Sequence, residues 1–370
     1  MKKLGFGLMR LPQLDADDYT KVDIETVKKM ADRFMENGFT YFDTAAPYHR
    51  GNSEIAFREA VAKRYPRDSY TITDKLTLFM VPKKEDMHSF FNSQLERLGV
   101  EYIDYYWLHA LGEASYRQAE EWDAFGFLQT LKSEGKVRHI GFSFHDKAAL
   151  LDEILTKHPE TEYVQLQLNY LDWEDPTVES RKCYEVATKH GKPVIVMEPI
   201  KGGTLVNVPE EVKKLFLHHA PDLSIASWAI RFAASLPNVM MVLSGMSNEE
   251  QMADNISYMK QLTPMNEEEQ NIIVKAREII RSKIAIPCTA CRYCVDGCPM
   301  KIAIPDYFSI YNNLKQFGPK QGIVAHTYYG NLTQTHGKAS ECIKCGKCEN
   351  HCPQHLPIRK YLEDVAAELE

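Results

Sequence analysis

Cysteines are concentrated at one end of this 370-residue chain. Eight of the nine lie between Cys288 and Cys352, and the first 287 residues contain only Cys183. The eight form two copies of the pattern C-x2-C-x2-C-x3-C-P, at 288–299 and 342–353. Closely spaced thiolates are ligands for soft metals and iron–sulfur clusters, whereas a disulfide framework would spread cysteines through a small secreted domain. The spacing therefore predicts a metal-binding tail.

The repeated pattern is that of bacterial ferredoxins with two [4Fe–4S] clusters, in which the fourth cysteine of each copy ligates the other cluster. The segments that follow, CPMKIAIPDYF and CPQHLPIRKYL, also resemble each other and indicate a duplication. Two zinc ions are the alternative, but four-ligand zinc sites use pairs of C-x2-C without the third cysteine and the C-P ending. The pattern implies one cluster on Cys288, Cys291, Cys294 and Cys352, and a second on Cys342, Cys345, Cys348 and Cys298.

A second set of polar residues closes short apolar runs in the cysteine-poor part. Asp43, Lys75 and His109 end three consecutive runs, and Ser143 and Glu198 end later ones. Singly, each has an ordinary explanation: a helix cap, a solvated lysine or a hydrogen-bonded core histidine. The carboxyl ends of parallel barrel strands meet at one mouth, where the chemistry of such folds is found. Because Asp43, Lys75 and His109 end three consecutive runs, we expect them to lie together in one site.

The elements that would position these residues alternate regularly. Eight short apolar runs between residues 4 and 245 are separated by amphipathic segments such as 24–38 and 84–99, each ended by a glycine. Eight such units over about 250 residues predict an α/β fold, a (β/α)8 TIM barrel, followed by a small α-rich ferredoxin-like domain. A doubly wound sheet is the alternative, but LGFGLMR lacks the third glycine of its phosphate turn. The predicted boundaries are 1–262 for the barrel, 263–287 for a connecting helix and 288–370 for the iron–sulfur domain.

Five segments in order along the predicted barrel resemble motifs of the aldo-keto reductase family. They are FDTAAPYHRGNSE (42–54), TDK (73–75), YIDYYWLH (102–109), GKVRHIGFS (135–143) and VLSGMSNEEQMADN (242–255). The resemblance implies an NAD(P)H-dependent oxidoreductase that interconverts a carbonyl and its alcohol. It also implies the family's catalytic tetrad, here Asp43, Tyr48, Lys75 and His109.

The tetrad has a physical rationale. A free tyrosine, with a pKa of about 10, is a weak acid at neutral pH, and an adjacent ammonium lowers that value. Lys75 would act in this way on Tyr48, the general acid, and Asp43 would hold Lys75. His109 would hydrogen-bond the substrate oxygen.

The resemblance further implies a set of residues that hold the nicotinamide cofactor. Gly245 and Gln251 stand where many relatives have a basic residue for the 2′-phosphate, so both NADP and NAD stay open. Met197 replaces an aromatic residue that commonly stacks on the nicotinamide. The full set is Met9, Asp43, Ser143, Gln165, Met197, Glu198, Ile200, Lys201, Gly202, Gly245, Gln251 and Asn255.

Composition limits the remaining classes. The net charge of −7 gives no support for nucleic acid or an anionic membrane as a partner, and no apolar run reaches the length of a membrane helix. The apolar stretch after the first two lysines is too short for a signal peptide, so we expect a cytoplasmic protein. The expected partners are a small carbonyl or alcohol substrate and a redox protein.

Two other functions stay open at this stage. One is an electron-transfer or redox-sensing protein whose barrel serves as a binding platform; the other is a nicotinamide-dependent epimerase without net turnover. The residues that line the substrate pocket also stay undecided. Trp107, Tyr116 and Trp122 would suit an aromatic pocket wall, and a packing role in the core suits them equally.

Overall fold

The computed structural model divides the chain into two compact units. One comprises Met1–Gly202 and Pro221–Gln270, and the other Gly203–Ala220 and Asn271–Glu370. The sequence-based boundaries near residues 262 and 288 stay predictions. The structure describes residues 2–15, 18–175, 178–282, 285, 286, 288, 292, 294, 295, 297–317, 322–352 and 355–370.

Eight parallel strands form a closed barrel in the first unit, each paired with the next and the last with the first. The (β/α)8 prediction is therefore confirmed. The strands are short and almost wholly buried, because helices cover the sheet outside and side chains fill it inside. They are β1 (Leu4–Gly7), β2 (Tyr41–Asp43), β3 (Thr71–Leu76), β4 (Ile103–Leu111), β5 (Val137–Phe144), β6 (Tyr163–Gln167), β7 (Val194–Met197) and β8 (Val239–Ser244).

Capping hydrogen bonds and the spacing of apolar residues account for where a helix begins and which face it buries. In the first helix, Asp23 caps the start by accepting a hydrogen bond from the Thr26 amide, and Val27, Met30 and Phe34 are buried on one face. The helices of the first unit are α1 (Ile24–Glu36), α2 (Asn52–Phe57), α3 (Met87–Leu98), α4 (Glu113–Glu121), α5 (Ala124–Ser133), α6 (Ala148–Lys157) and α7 (Ser180–Lys189). The chain continues with α8 (Glu210–His219), which belongs to the second unit, and with α9 (Ile225–Ser235), α10 (Glu249–Met259) and α11 (Glu267–Ser282).

Aromatic side chains fill the barrel interior. Tyr41, Tyr105 and Trp107 cluster there, and a Cβ at Gly141 would lie 2.3 Å from the Tyr163 carbonyl oxygen. Only glycine fits at that position of β5. Trp107 is therefore an interior packing residue.

The two other aromatic residues considered for the pocket also pack in the core. Tyr116 is fully buried, and Trp122 packs against the core outside the barrel. Trp107, Tyr116 and Trp122 therefore all pack in hydrophobic cores, and none of them supports the proposed role in a pocket wall.

The second unit is built from short helices around its own core. Ile304, Tyr307, Leu362 and Val365 are buried together there. The C-terminal Glu370 accepts a hydrogen bond from the Ser340 amide at 3.0 Å, which fixes the chain end beside the second cysteine motif. Its remaining helices are α12 (Ile304–Phe317), α13 (Gly322–Leu332), α14 (Lys347–Asn350) and α15 (Ile358–Leu369).

Among the residues that the structure describes, no helix has the length and apolar character needed to cross a membrane.

Candidate active site and cluster cavity

A buried ion pair lies at the carboxyl ends of β2 and β3. The Lys75 ammonium donates hydrogen bonds to Asp43 Oδ1 at 2.8 Å and to the Thr44 carbonyl oxygen at 2.7 Å. The Lys75 side chain is 1% exposed. Burial alone would lower the pKa of Lys75, but the adjacent Asp43 carboxylate, together with Tyr48 and Asp74, raises it above its ordinary value. Lys75 therefore carries its charge at neutral pH.

Tyr48 lies over this ion pair, at the start of a short 3-10 helix, Tyr48–Gly51. The Lys75 ammonium is 5.1 Å from the centre of the Tyr48 ring. The enclosed position of Tyr48 raises its pKa above the ordinary value, and the Lys75 charge offsets only part of that rise. We expected the lysine to dominate and lower the pKa. In this structure burial prevails, so the Tyr48 hydroxyl keeps its proton at neutral pH.

His109 completes the group on β4. Its ring meets the Tyr48 ring edge-on, with centroids 6.1 Å apart, and its Nδ1 lies 2.7 Å from Thr77 Oγ1. Burial, together with the Lys75 charge, holds the pKa of His109 well below its usual value, so the ring is neutral. On the open side Phe79, 72% exposed, lies with its ring 6.2 Å from that of His109.

A polar network behind Lys75 escaped the sequence analysis. The Lys75 amide donates to Asp74 Oδ1 at 2.8 Å, and Gln94 Nε2 donates to the Lys75 carbonyl oxygen at 3.0 Å. Glu54 and Asp74 are both fully buried. Burial and the adjacent Glu54 raise the pKa of Asp74 well above its ordinary value. Arg97 balances Glu54, and the network fixes the backbone that carries Lys75.

Two candidate cofactor residues have buried amide oxygens without a hydrogen-bond partner in the described part of the chain: Gln165 Oε1 and Asn255 Oδ1. Gln165 lies on β6, in register with Ser143 of β5. Its Nε2 is 3.5 Å from Asp43 Oδ2, so the amide borders the ion pair. A buried acceptor without a donor is costly, so these positions fit a bound group that supplies donors. The carboxamide of a nicotinamide and the amino group of an adenine supply such donors.

The other candidates lie around the β7 and β8 ends of the barrel. Glu198, Lys201 and Gly202 all have positive φ angles, so the chain turns sharply after β7. Lys201 is not a free cation, because it pairs with the buried Asp172 at 2.7 Å. Met197 ends β7, Met9 is about half exposed after β1, Ile200 packs against the core, and the Gln251 side chain accepts a hydrogen bond from the Ser247 amide.

Arg10 is a second residue that the sequence analysis missed. Its guanidinium is 3.3 Å from Glu198 Oε1, and a Cβ at Gly245 would lie 3.6 Å from the Arg10 side chain. A cation from the 3-10 turn Leu8–Arg10 after β1 thus lies beside Gly245, the position directly after β8 where many relatives have a basic residue. No short sequence motif could indicate that Arg10 lies beside Gly245, since the two residues are far apart in sequence.

In the second unit, four of the predicted ligands line one cavity: Cys298 from the first motif, and Cys342, Cys345 and Cys348 from the second. Apolar side chains, including Ile302 and Leu362, form much of the remaining wall. No group of three or more His, Cys, Asp or Glu side chains within the described ranges is arranged to hold a single metal ion. Four thiols around one cavity are the ligand set that the sequence pattern predicts for one [4Fe–4S] cluster.

The other predicted set is described in part. Cys294 and Cys352 are buried in the core of the second unit, and Cys288 packs against that core. Cys291 lies outside the described residues. No disulfide joins the described cysteines, and Cys183 is buried in the first unit.

Comparison with known proteins explains this combination of barrel and cysteine motifs. The family model described as Aldo/keto reductase family matches residues 3–278. The chain belongs to the aldo/keto reductase family. A second model, described as 4Fe-4S dicluster domain, matches residues 287–356. The protein is therefore an NAD(P)-dependent oxidoreductase of the aldo-keto reductase type that carries a 4Fe–4S dicluster domain.

Individual relatives of this aldo-keto reductase are distant. An aldo-keto reductase of Mycolicibacterium vanbaalenii is 31% identical over 225 residues, which cover 60% of this chain and 74% of the relative. A probable aldo-keto reductase 1 of Glycine max is 30% identical over 47% of this chain and 49% of its own length.

Solved structures show the same fold. The holo form of an aldo-keto reductase from Bacillus halodurans has a TM-score of 0.59 and 25% identity, covering 74% of this chain and 91% of that one. An aldo-keto reductase from Klebsiella pneumoniae in complex with NADPH has the same TM-score at 18% identity, covering 74% of this chain and 90% of that one.

Proposed function

We propose that this protein interconverts an aldehyde or ketone and the corresponding alcohol, with Tyr48 as general acid and base. The buried Asp43–Lys75 pair beneath Tyr48 supports this proposal most directly. Burying a charged lysine costs free energy even when a carboxylate pairs with it, so we infer a functional role for Lys75 beside Tyr48. That role would be to stabilise Tyr48 when it gives up its proton.

The cofactor would lie across the barrel mouth. Ser143 and Gln165 would hold the nicotinamide carboxamide, and Asn255 would hold the adenosine half. The side-chain oxygens of Gln165 and Asn255 are buried and have no hydrogen-bond donor in the described part of the chain. Arg10, beside Gly245, offers a cation for a phosphate of the dinucleotide. When bound, the reduced cofactor supplies the hydride for the carbonyl carbon.

The side chains then handle the proton. In reduction, the Tyr48 hydroxyl gives its proton to the carbonyl oxygen as the carbon gains hydride, and the Lys75 charge stabilises the tyrosinate that forms. His109 donates a hydrogen bond to the same oxygen and orients it. A proton from solvent restores Tyr48, and alcohol oxidation is the reverse. The raised pKa of Tyr48 keeps the acid form available at neutral pH.

The test compares Tyr48→Phe with Tyr258→Phe in anaerobically purified full-length protein. Tyr258 is buried in α10, and its hydroxyl has no hydrogen-bond partner in the described part of the chain, so Tyr258→Phe is a control for the loss of a buried tyrosine hydroxyl. We expect Tyr48→Phe to lower kcat for carbonyl reduction at least about a hundredfold, whereas affinity for NADH and NADPH stays within about twofold. Undiminished turnover in Tyr48→Phe would refute the assignment. Hydrogen exchange at the carbinol carbon without net cofactor turnover would instead indicate an epimerase.

The second unit is proposed to exchange single electrons with a redox protein. Cys345 is exposed, and Ile343 beside it is 60% exposed, so the cluster bound there would lie near the surface. A partner should therefore protect this loop in hydrogen exchange. We also propose a cytoplasmic location, because thiolate-bound iron–sulfur clusters persist in a reducing compartment.

A further inference from the structure

Thr77 contacts the catalytic histidine from the neighbouring strand. It directly follows β3, is fully buried, and its Oγ1 lies 2.7 Å from His109 Nδ1 on β4. The two residues are held by parallel pairing that matches Lys75 with Trp107 and Leu76 with Leu108. The contact is therefore fixed by the barrel.

The direction of this hydrogen bond decides what the other ring nitrogen can do. A neutral imidazole has one N–H and one bare nitrogen, and the partner of one nitrogen sets the state of the other. If Thr77 donates to Nδ1, the proton is on Nε2. If Nδ1 donates to Thr77, then Nε2 is bare and presents a lone pair.

The surroundings of Thr77 favour one direction. In the described part of the chain, the Thr77 hydroxyl has no hydrogen-bond partner besides His109. If Nδ1 donated, the buried hydroxyl hydrogen would be left without an acceptor, at a cost comparable to losing a hydrogen bond. If the hydroxyl donates to Nδ1, both atoms are satisfied.

We propose that Thr77 is a positioning residue that holds His109 as the Nε2–H tautomer, with that N–H facing the barrel mouth. The ring is partly exposed, and within the described residues Nε2 has no hydrogen-bond partner, so it is open to a ligand. The inference deepens the proposed function, on which it rests for the nature of that ligand, a carbonyl oxygen. The other tautomer would direct a lone pair at that oxygen and repel it.

The direct test is the tautomer itself, measured by nitrogen NMR of the full-length protein labelled at its 13 histidines. The signal of His109 is identified by its loss in His109→Asn. We expect wild type and Thr77→Ser to show protonated Nε2, and Thr77→Val to show a mixture of tautomers. Protonated Nδ1 in the wild type would overturn the inference, as would an unchanged tautomer in Thr77→Val. The wild-type spectrum alone decides if the valine variant does not fold.

Kinetics give the second readout. Thr77→Val should lower kcat/KM for carbonyl reduction about tenfold or more. In the expected mixture of tautomers, much of the protein would lack the His109 Nε2–H that donates to the developing oxyanion. Thr77→Ser should restore it to within about twofold of the wild type. Equal activity of the valine and serine variants would refute the role of the hydroxyl. If the wild type reduces no carbonyl at all, the proposed function fails, whereas the NMR result still decides the tautomer.

Discussion

The buried Asp43–Lys75 pair allows a quantitative prediction for Asp43→Asn. Removing one partner of a buried ion pair costs about 3–5 kcal/mol, because the remaining charge is left uncompensated. At about 1.4 kcal/mol per pH unit, such a cost would move the pKa of Lys75 down by about 2–3.5 units from its unfolded value near 10.4. In the wild type, by contrast, Asp43 raises the pKa of Lys75.

The sign of the pH dependence follows from the two pKa values. In Asp43→Asn the folded protein releases the Lys75 proton at lower pH than the unfolded chain, so stability rises with pH up to the unfolded pKa. The deficit relative to the wild type should therefore shrink from about 3–5 kcal/mol near pH 7 to about 1 kcal/mol near pH 9.5. The wild-type pair contributes fully below the unfolded pKa and is lost as pH rises through the folded value.

Urea unfolding at the two pH values, followed by tryptophan fluorescence, measures this deficit in the first unit. All four tryptophans, Trp107, Trp122, Trp173 and Trp228, belong to it. Glu59→Gln is the matched control, since its partner Lys63 is 58% exposed and the loss should stay below about 1 kcal/mol. A deficit in Asp43→Asn that is under 1 kcal/mol at neutral pH, or that does not change with pH, would show that the reasoning is wrong.

Three further outcomes are expected. Gln165→Leu should weaken NADH and NADPH binding about tenfold in fluorescence titration, because a buried polar partner is lost; unaltered affinity would remove Gln165 from the cofactor site. Gly141→Ala should cost about 1–3 kcal/mol in the same urea assay, because its Cβ would lie 2.3 Å from the Tyr163 carbonyl oxygen. Cys298→Ala should lower iron from about eight to about four atoms per chain, and retention of about eight would contradict the crossed ligand set.

Much of the barrel and part of the site could be predicted because both depend on short-range pattern. Asp43, Lys75 and His109 each end an apolar run, and the topology of a parallel barrel brings such ends together wherever the runs are recognised. Tyr48 is different, since it lies on a 3-10 turn five residues beyond Asp43. Only the family resemblance singled it out.

The missed residues have no such pattern. Asp74 and Glu54 lie within the quoted motifs 73–75 and 42–54, but the motifs alone do not indicate what these two side chains do. The roles of Thr77, Asp74 and Glu54, all buried, depend on their partners in the folded chain. The lowering of the Tyr48 pKa was expected from one neighbouring charge, whereas burial, which depends on the whole surrounding structure, has the larger effect. Arg10 likewise reaches Glu198 from far away in sequence.

The location of the tetrad bears on the purpose of the clusters. Asp43, Tyr48, Lys75 and His109 all belong to the first unit, together with the network that supports them. In the proposed reduction, hydride transfer moves two electrons together, and Tyr48 would supply the proton without a one-electron step. Each cubane, in contrast, moves a single electron. The proposed reaction would therefore take no electron from the clusters, and we expect the dicluster domain to serve a separate electron transfer at the exposed Cys345 loop.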